Sequence, residues 1–140
     1  LADRIALLDR GRLVQVGPPR ALYDEPARSE VATFFGAREG LAGTREPGGV
    51  RIGNVVVPAW AVEDAPASGP VRLAFRASDA HLAEQGIPAV VEDAAWRGHS
   101  ERLVLRVGDE RVVVEGGGTG RPGELVRFVP RRAFALPAGS

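Results

Sequence analysis

The sequence predicts a mainly β protein in which a β-hairpin and two short helices precede a small barrel or sandwich. Short apolar segments recur along residues 49–140 and are separated by turn-prone residues such as Gly108-Asp109, as in small barrels and sandwiches. Residues 1–36 instead hold one hairpin-like pair of segments and two helix-like segments. Between these regions, residues 37–48 are small, charged and rich in Gly and Pro, which predicts a linker.

The opening hairpin is predicted from two apolar segments that flank a turn. Residues 3–8 form the first strand, Asp9-Arg10-Gly11 supplies the turn, and residues 12–16 form the return strand. Gly17-Pro18-Pro19 ends the sheet and opens a helix over residues 19–24, because proline is tolerated in the first helical turn. The first elements are therefore strand, strand and helix.

A second short helix is predicted after Pro26. Val31, Phe34 and Phe35 are spaced to share one face of it. Gly36 is well placed to end this helix, because glycine readily takes the left-handed conformation that follows many helices.

The barrel strands are predicted from short apolar runs and from alternation. Residues 71–76 show the clearest alternation, with Val71, Leu73 and Phe75 on one face. Ser78-Asp79 is predicted to cap a single helical turn through Leu82. The other strands are predicted at residues 50–52, 54–57, 87–91, 102–107, 111–115 and 125–129.

Composition excludes several classes of function. The 18 basic and 18 acidic residues balance to a net charge of zero, which gives no electrostatic support for nucleic acid or anionic membrane binding. No cysteine is present, so disulfides and thiolate metal sites are excluded. No apolar run approaches the ~20 residues of a membrane-spanning helix. The start at Leu1, without Met, suggests a fragment of a longer chain.

Residues 1–36 carry a specific pattern of anchors. They are Ala2-Asp3-Arg4-Ile5, Leu8 to Arg12, Gln15 to Pro19, Leu22-Tyr23, Pro26, Val31-Ala32 and Phe34-Phe35-Gly36. This run resembles the segment after the switch histidine in ABC importer ATPases, in the branch of the maltose, spermidine/putrescine and ferric-iron importers. Ser29-Glu30 departs from that pattern, at a surface position where an Arg-Phe or similar pair is common.

The later residues resemble the accessory domain of the same ATPases, called TOBE and related to the OB fold. Phe75 to Asp79 stands where the family has a strand ending in Arg-Pro-Glu, and it keeps the arginine and an acid. Gly98 matches a glycine of a second motif, within Trp96 to Glu101. The resemblance implies the tail of an ABC nucleotide-binding domain over residues 1–36 and an OB-like TOBE barrel over residues 49–140.

The same resemblance implies a non-catalytic regulatory and dimerisation domain of an importer's ATP-binding subunit. It implies a homodimer and contact with the transporter's membrane-spanning subunits through the ATPase domain. The expected place is the cytoplasmic, inner face of the cell membrane, without direct membrane insertion or a nucleic acid partner. The candidate regulatory or partner contacts are Arg76, Asp79, Trp96, Arg97 and His99.

No catalytic, cofactor or metal site is expected in this chain. The phosphate-loop lysine of an ABC ATPase cannot be present, because all 18 basic residues are arginine. ATP and magnesium are expected in the full-length parent, whose Walker and signature motifs would lie upstream. The Gly118–Gly123 sequence matches a dinucleotide-binding motif, but Pro122 and the apolar run after it predict a hairpin loop. Two sets, Ser78/Asp79/His81 and His99/Ser100/Glu101, are too close in sequence to predict a catalytic triad.

Two other functions stay open as alternatives. Oxyanion sensing of the molybdate type could use Ser78, Ser100 and Thr119, although nothing in the sequence groups them. An OB-like barrel could also bind single-stranded nucleic acid by stacking bases on Trp60 or Trp96, but the neutral charge disfavours it. Trp60 is predicted in the core or an interface, and Trp96 either contacts a partner or packs across the barrel end.

The hairpin and second helix also predict self-association. Cut from an ATPase domain, their apolar side chains would lack partners, and such edges tend to find a second chain. We therefore predict a homodimer in which the N-terminal segments pair or exchange. The side chains concerned are Ile5, Leu7, Val14, Val16, Phe34 and Phe35.

Overall fold

The fold is known from a computed structural model that describes residues 3–140; Leu1, and Ala2 with which the pattern of anchors above begins, lie outside the described residues. The chain is mainly β and OB-like, and two short helices lie near its start, which confirms the predicted fold class. Its strands form a two-stranded, a four-stranded and a six-stranded sheet.

The N-terminal hairpin forms as predicted. Strand β1 (Ile5–Asp9) pairs antiparallel with β2 (Arg12–Gly17). Arg10 and Gly11, the two turn residues, have φ angles of 52° and 78°. Positive φ at both positions is the conformation of tight hairpin turns that match the twist of the strands.

Two six-residue helices follow, α1 (Pro19–Asp24) and α2 (Ser29–Phe34). Gly36 has a φ of 97°, which confirms its place at the end of α2. Val31 and Phe34 lie about 60° apart around the helix, as their spacing predicts, but Val31 is buried whereas Phe34 is 61% exposed. Helix α2 buries Val31 and Ala32, and Phe34 lies about 200° around the helix from Ala32.

The remaining strands build the two larger sheets. They are β3 (Glu39–Glu46), β4 (Gly49–Ile52), β5 (Val55–Val57), β6 (Trp60–Ala61), β7 (Gly69–Phe75), β8 (Ala80–Trp96), β9 (Glu101–Val107), β10 (Glu110–Val114), β11 (Leu125–Pro130) and β12 (Ala133–Pro137). The six-stranded sheet has the order β5-β4-β3-β7-β12-β6, and the four-stranded sheet has the order β10-β9-β8-β11.

Two local predictions are corrected by these strands. Residues 37–48 do not form an irregular linker, because β3 lies inside the six-stranded sheet between β4 and β7. The helical turn predicted through Leu82 is a 3₁₀ turn limited to Ala77–Asp79, without a side-chain cap, after which β8 begins. Strands β6 and β12 were not predicted. The division into domains at residues 36 and 49 stays a prediction.

The two large sheets enclose one apolar core. Val71, Leu73 and Phe75 point into it as the alternation of β7 predicts, and each is at most 1% exposed. The rings of Phe75 and Phe128 meet there with centroids 6.1 Å apart. A second, smaller cluster on the other face of β7 contains Ala32 of α2 together with Ala74 and Phe134. This second cluster attaches the N-terminal helices to the six-stranded sheet.

Candidate functional site

Arg76 joins the N-terminal helices to the sheet at the end of β7. The residue is only 5% exposed. Its Nε donates a hydrogen bond to the Phe35 carbonyl at 2.6 Å, and its Nη2 donates to the Tyr23 carbonyl at 2.8 Å. Both carbonyls lie at the ends of short helices, where backbone acceptors lack helical partners. The planar guanidinium therefore provides hydrogen-bond donors for backbone carbonyls at the C-terminal ends of both helices.

The charge of Arg76 is balanced inside the same junction. Its guanidinium carbon lies 3.5 Å from the centroid of the Tyr23 ring and 5.1 Å from that of Phe134, which is cation–π geometry. Its Nη1 lies 3.6 Å from Oδ2 of Asp79. These two atoms are buried and have no hydrogen-bond partner among the described residues. The ion pair between them therefore offsets the cost of burying their charges. We call this arrangement of Arg76, Asp79, Tyr23 and Phe35 the Arg76 junction.

A second attachment lies at the start of α2. Asp64 accepts hydrogen bonds from the backbone N–H and the hydroxyl of Ser29, at 2.9 and 2.5 Å. Trp60 donates its indole N–H to the Pro26 carbonyl at 2.8 Å. The Glu63 N–H donates to the Ala27 carbonyl at 2.7 Å. The segment between the helices is thus fixed to the loop after β6.

The environment of Asp64 affects its titration. Partial burial acts to raise its pKa, but the hydrogen bonds from Ser29 and the nearby Arg28 outweigh that effect and hold the pKa below its ordinary value. A carboxylate with a lowered pKa in the folded state stabilises that state above its unfolded pKa, near 3.9. This stabilisation is lost as the pH falls through the folded pKa.

Asp64→Asn therefore gives a pH-dependent prediction. We expect the variant to be less stable than the wild type by a constant amount above about pH 5, and this difference to shrink below about pH 4. Urea unfolding between pH 3 and pH 7 measures it. Asp109→Asn, in an exposed turn, is the matched control. A difference that grows on acidification would contradict the assigned role of Asp64.

The other candidate contacts lie at the far end of β8. Asp79 directly precedes this long strand, whereas Trp96 ends it and Arg97 and His99 occupy the turn into β9. Trp96 is 66% exposed, and Arg97 and His99 are also exposed. Trp96 therefore does not pack across the barrel end. The structure divides the five candidates between a buried junction, which holds Arg76 and Asp79, and an exposed turn.

A groove of about 430 Å³ lies beside Trp96. Thr119 and Arg121 line it, as do the carboxylates of Glu101 and Glu124. Glu101 accepts a hydrogen bond from the Gly120 N–H at 3.1 Å, and Glu124 accepts one from the Arg121 N–H at 3.0 Å. The amides that an oxyanion would use in this loop are thus bound to carboxylates, and Ser78 lies at the other end of β8. The geometry does not favour the oxyanion alternative here.

The dinucleotide-like motif lies in a loop, as predicted, but this loop is not a hairpin, because the strands before and after it, β10 and β11, are not neighbours in the four-stranded sheet. Gly118 to Gly123 leads into β11 and not into a helix.

Trp60 lies at the interface between β6 and the N-terminal segment, because its indole N–H is bound to the Pro26 carbonyl. The sequence did not indicate Asp64 and Ser29, whose pairing joins positions 35 residues apart. Within residues 3–140, no helix has the length and apolar content of a membrane-spanning helix.

Comparison with known proteins identifies relatives of nearly the whole chain, although no family model matches it. The sulfate/thiosulfate import ATP-binding protein CysA of Xanthomonas campestris pv. campestris is 33% identical over 146 residues, covering 99% of this chain and 41% of that protein. The protein of the same name from Caulobacter vibrioides is 32% identical over 141 residues, covering 99% of this chain and 40% of that protein. In Burkholderia pseudomallei the identity is 40% over 110 residues, which covers 75% of this chain and 31% of the relative.

This chain thus spans about two fifths or less of the length of the curated relatives it matches. These relatives are named for sulfate and thiosulfate import, and the anchors in residues 1–36 do not indicate those solutes. The matches confirm the resemblance seen in those anchors: over most of its length the chain is similar to ABC importer ATP-binding proteins, in keeping with a C-terminal region of such a protein.

Proposed function

We propose that this chain is the non-catalytic, regulatory and dimer-stabilising region of the ATP-binding subunit of an ABC importer. The observation that supports the proposal best is the apolar surface of the N-terminal segment. Leu8 and Leu13 lie opposite each other in the hairpin and are 61% and 60% exposed, and Phe34 is 61% exposed. Apolar surface of this kind is typical of an interface. We propose that the rest of the ATPase domain covers it.

The Arg76 junction gives this region a mechanical role. The N-terminal segment would contact the ATPase domain through its hairpin. Arg76 and Asp64 attach the same segment to the barrel. A movement of the ATPase domain would then be transmitted to the barrel without a flexible joint. Two barrels in contact would keep two ATPase domains close when ATP is absent, because tethering raises their effective concentration.

The chemistry and the location are proposed from the relatives. ATP and magnesium would be bound by the longer protein outside this chain, which has no lysine for a phosphate loop. Sulfate or thiosulfate is the proposed solute, since the relatives are named for it. The subunit would lie on the cytoplasmic face of the membrane, bound to membrane-spanning subunits through its ATPase domain.

Ligand titration tests whether ATP is bound by the longer protein and not by this chain. Isothermal titration calorimetry with magnesium–ATP and with sulfate is performed on this chain and on the longer protein. We expect the longer protein to bind ATP and this chain to bind neither ligand. ATP binding by the chain alone would overturn the non-catalytic proposal. Sulfate binding by the chain alone would instead establish the oxyanion-sensing alternative.

The apolar hairpin surface gives a second test. Leu8→Ser and Leu13→Ser should change the stability of this chain by no more than about 0.5 kcal/mol, because both side chains are exposed. In the longer protein we expect each to cost about 1.5–3 kcal/mol, the cost of exposing a buried leucine. Chemical unfolding of both proteins measures the difference. Equal effects in the two proteins would mean that the ATPase domain does not cover this surface.

A further inference from the structure

Strand β11 forms an open edge of the four-stranded sheet. Within residues 3–140 it pairs only with β8. Val91 donates a hydrogen bond to the Glu124 carbonyl at 2.9 Å and accepts one from the Gly123 N–H at 2.8 Å. Backbone groups of successive strand residues point to opposite sides, so those of Leu125 and Arg127 point away from β8. Unpaired edge groups of this kind are a template for another strand.

Two grooves flank this edge. One, of about 750 Å³, runs between β11 and the short edge strand β5, with Val56, Glu84 and Arg127 in its lining. The other, of about 420 Å³, is lined by Pro88 and Leu125 and again by Glu84 and Arg127. Leu125 is 81% exposed, the highest value among the exposed large apolar side chains of residues 3–140. The edge therefore combines apolar surface with open backbone groups.

Glu84 and Arg127 make this surface self-complementary in charge. Both residues are exposed and line both grooves. Neither makes an ion pair with another described residue. The Arg127 guanidinium donates a single hydrogen bond, to the Gly86 carbonyl at 3.2 Å. A second copy related by a two-fold axis would bring each charge towards its opposite.

We propose that β11 is the docking surface for a second copy of this chain, paired antiparallel, edge to edge, about a two-fold axis at Val126. Leu125 of one copy then lies opposite the partner's Arg127, and each such pair can exchange both backbone hydrogen bonds. Arg127 of one copy approaches the partner's Glu84, because Leu125 and Glu84 line the same groove. The two four-stranded sheets become one continuous sheet. This inference rests on the proposed function, since it locates the dimer contact that the function requires.

Charge reversal tests the pairing. Arg127→Glu and Glu84→Arg are made singly and together, and the association of the 140-residue chain is measured by sedimentation equilibrium at low salt. Each single reversal should raise the dissociation constant at least about tenfold, and the double reversal should restore it to within about threefold. Arg131→Glu, an exposed arginine outside both grooves, is the matched control. Circular dichroism melts verify that every variant is folded.

A cysteine substitution tests the register. Because the chain has no cysteine, Val126→Cys introduces a single thiol. Val126 would face the partner's Val126 at a non-hydrogen-bonded pair, with Cα atoms about 4.5 Å apart, which a disulfide can span. We expect oxidation to give a covalent dimer. Arg111→Cys, on the opposite edge strand β10, should form no covalent dimer.

The outcomes separate this inference from the proposed function. Any of three results would overturn β11 pairing. The chain stays monomeric, the single reversals leave its association unchanged, or the double reversal fails to restore association. ATP hydrolysis by the longer protein is measured in parallel. Absence of hydrolysis would refute the proposed function independently of association, whereas hydrolysis with unaffected association would refute only the β11 interface.

Discussion

Arg76→Met is expected to lower the free energy of unfolding by about 3–5 kcal/mol, the range for removing one member of a buried ion pair. Methionine fills a similar volume but cannot donate to the carbonyls of Tyr23 and Phe35, which accept 2.8 and 2.6 Å hydrogen bonds from the guanidinium. It also leaves the buried Oδ2 of Asp79 without its cation. Unmet buried acceptors cost more than a hydrogen bond normally contributes.

Two further variants separate the contributions at the junction. Asp79→Asn in the Arg76→Met background removes the uncompensated charge, and we expect it to recover part of the lost stability, with a coupling of about 0.5–3 kcal/mol. Arg76→Lys keeps the charge but not the planar fork that reaches both carbonyls, so it should recover little. Strictly additive effects of the Arg76 and Asp79 substitutions would contradict the ion pair.

Of the chain's two tryptophans, only Trp60 is kept for the measurement. In a Trp96→Phe background, Trp60 reports on the attachment of the segment between the two helices, because its indole N–H is bound to the Pro26 carbonyl. Urea unfolding is followed by Trp60 fluorescence and by far-UV circular dichroism. Arg131→Met, at an exposed arginine, should shift stability by no more than about 0.5 kcal/mol. If Arg76→Met behaves like this control, Arg76 does not hold the helices to the sheet.

The hairpin and helices could be predicted from sequence because local chemistry determines them. Asp9-Arg10-Gly11 allows the positive φ angles of a tight turn. Pro19 begins α1 and Gly36 follows the end of α2, and the backbone preferences of proline and glycine suit these two positions. The alternation in β7 predicted which side chains enter the core. These signals need no information from distant residues.

Strand β3 and the Arg76 junction depend on long-range contacts. The sequence of β3, Glu39–Glu46, has three small residues and no clear alternation, and it is a strand because β4 and β7 pair with it. Arg76 was predicted to contact a partner, but its acceptors lie 41 and 53 residues earlier in the chain, at Phe35 and Tyr23. No periodic pattern shows that these carbonyls meet a buried arginine.

Phe128→Ala is expected to cost about 3–5 kcal/mol, the range for truncating a buried aromatic residue. Phe128 is fully buried on β11, and its ring meets that of Phe75 on β7 at a centroid distance of 6.1 Å. The two rings belong to different sheets, so their contact holds the four-stranded sheet on the six-stranded sheet. Phe75→Ala should have a similar cost, and the double variant should reveal a coupling of about 0.5–1.5 kcal/mol.

Leu125→Ala is the matched control, because Leu125 lies on the same strand but is 81% exposed. At concentrations where the chain is monomeric, we expect it to change stability by no more than about 0.5 kcal/mol. Urea unfolding, followed by circular dichroism, is measured for the wild type and the four variants. A loss under about 1 kcal/mol for Phe128→Ala would mean that the sheets are not held by this core. Because Phe128 lies outside the contacts that attach the helices to the sheet, Phe128→Ala should lower the unfolding midpoints measured by Trp60 fluorescence and by circular dichroism together. Arg76→Met, which loosens that attachment, should lower the Trp60 midpoint more.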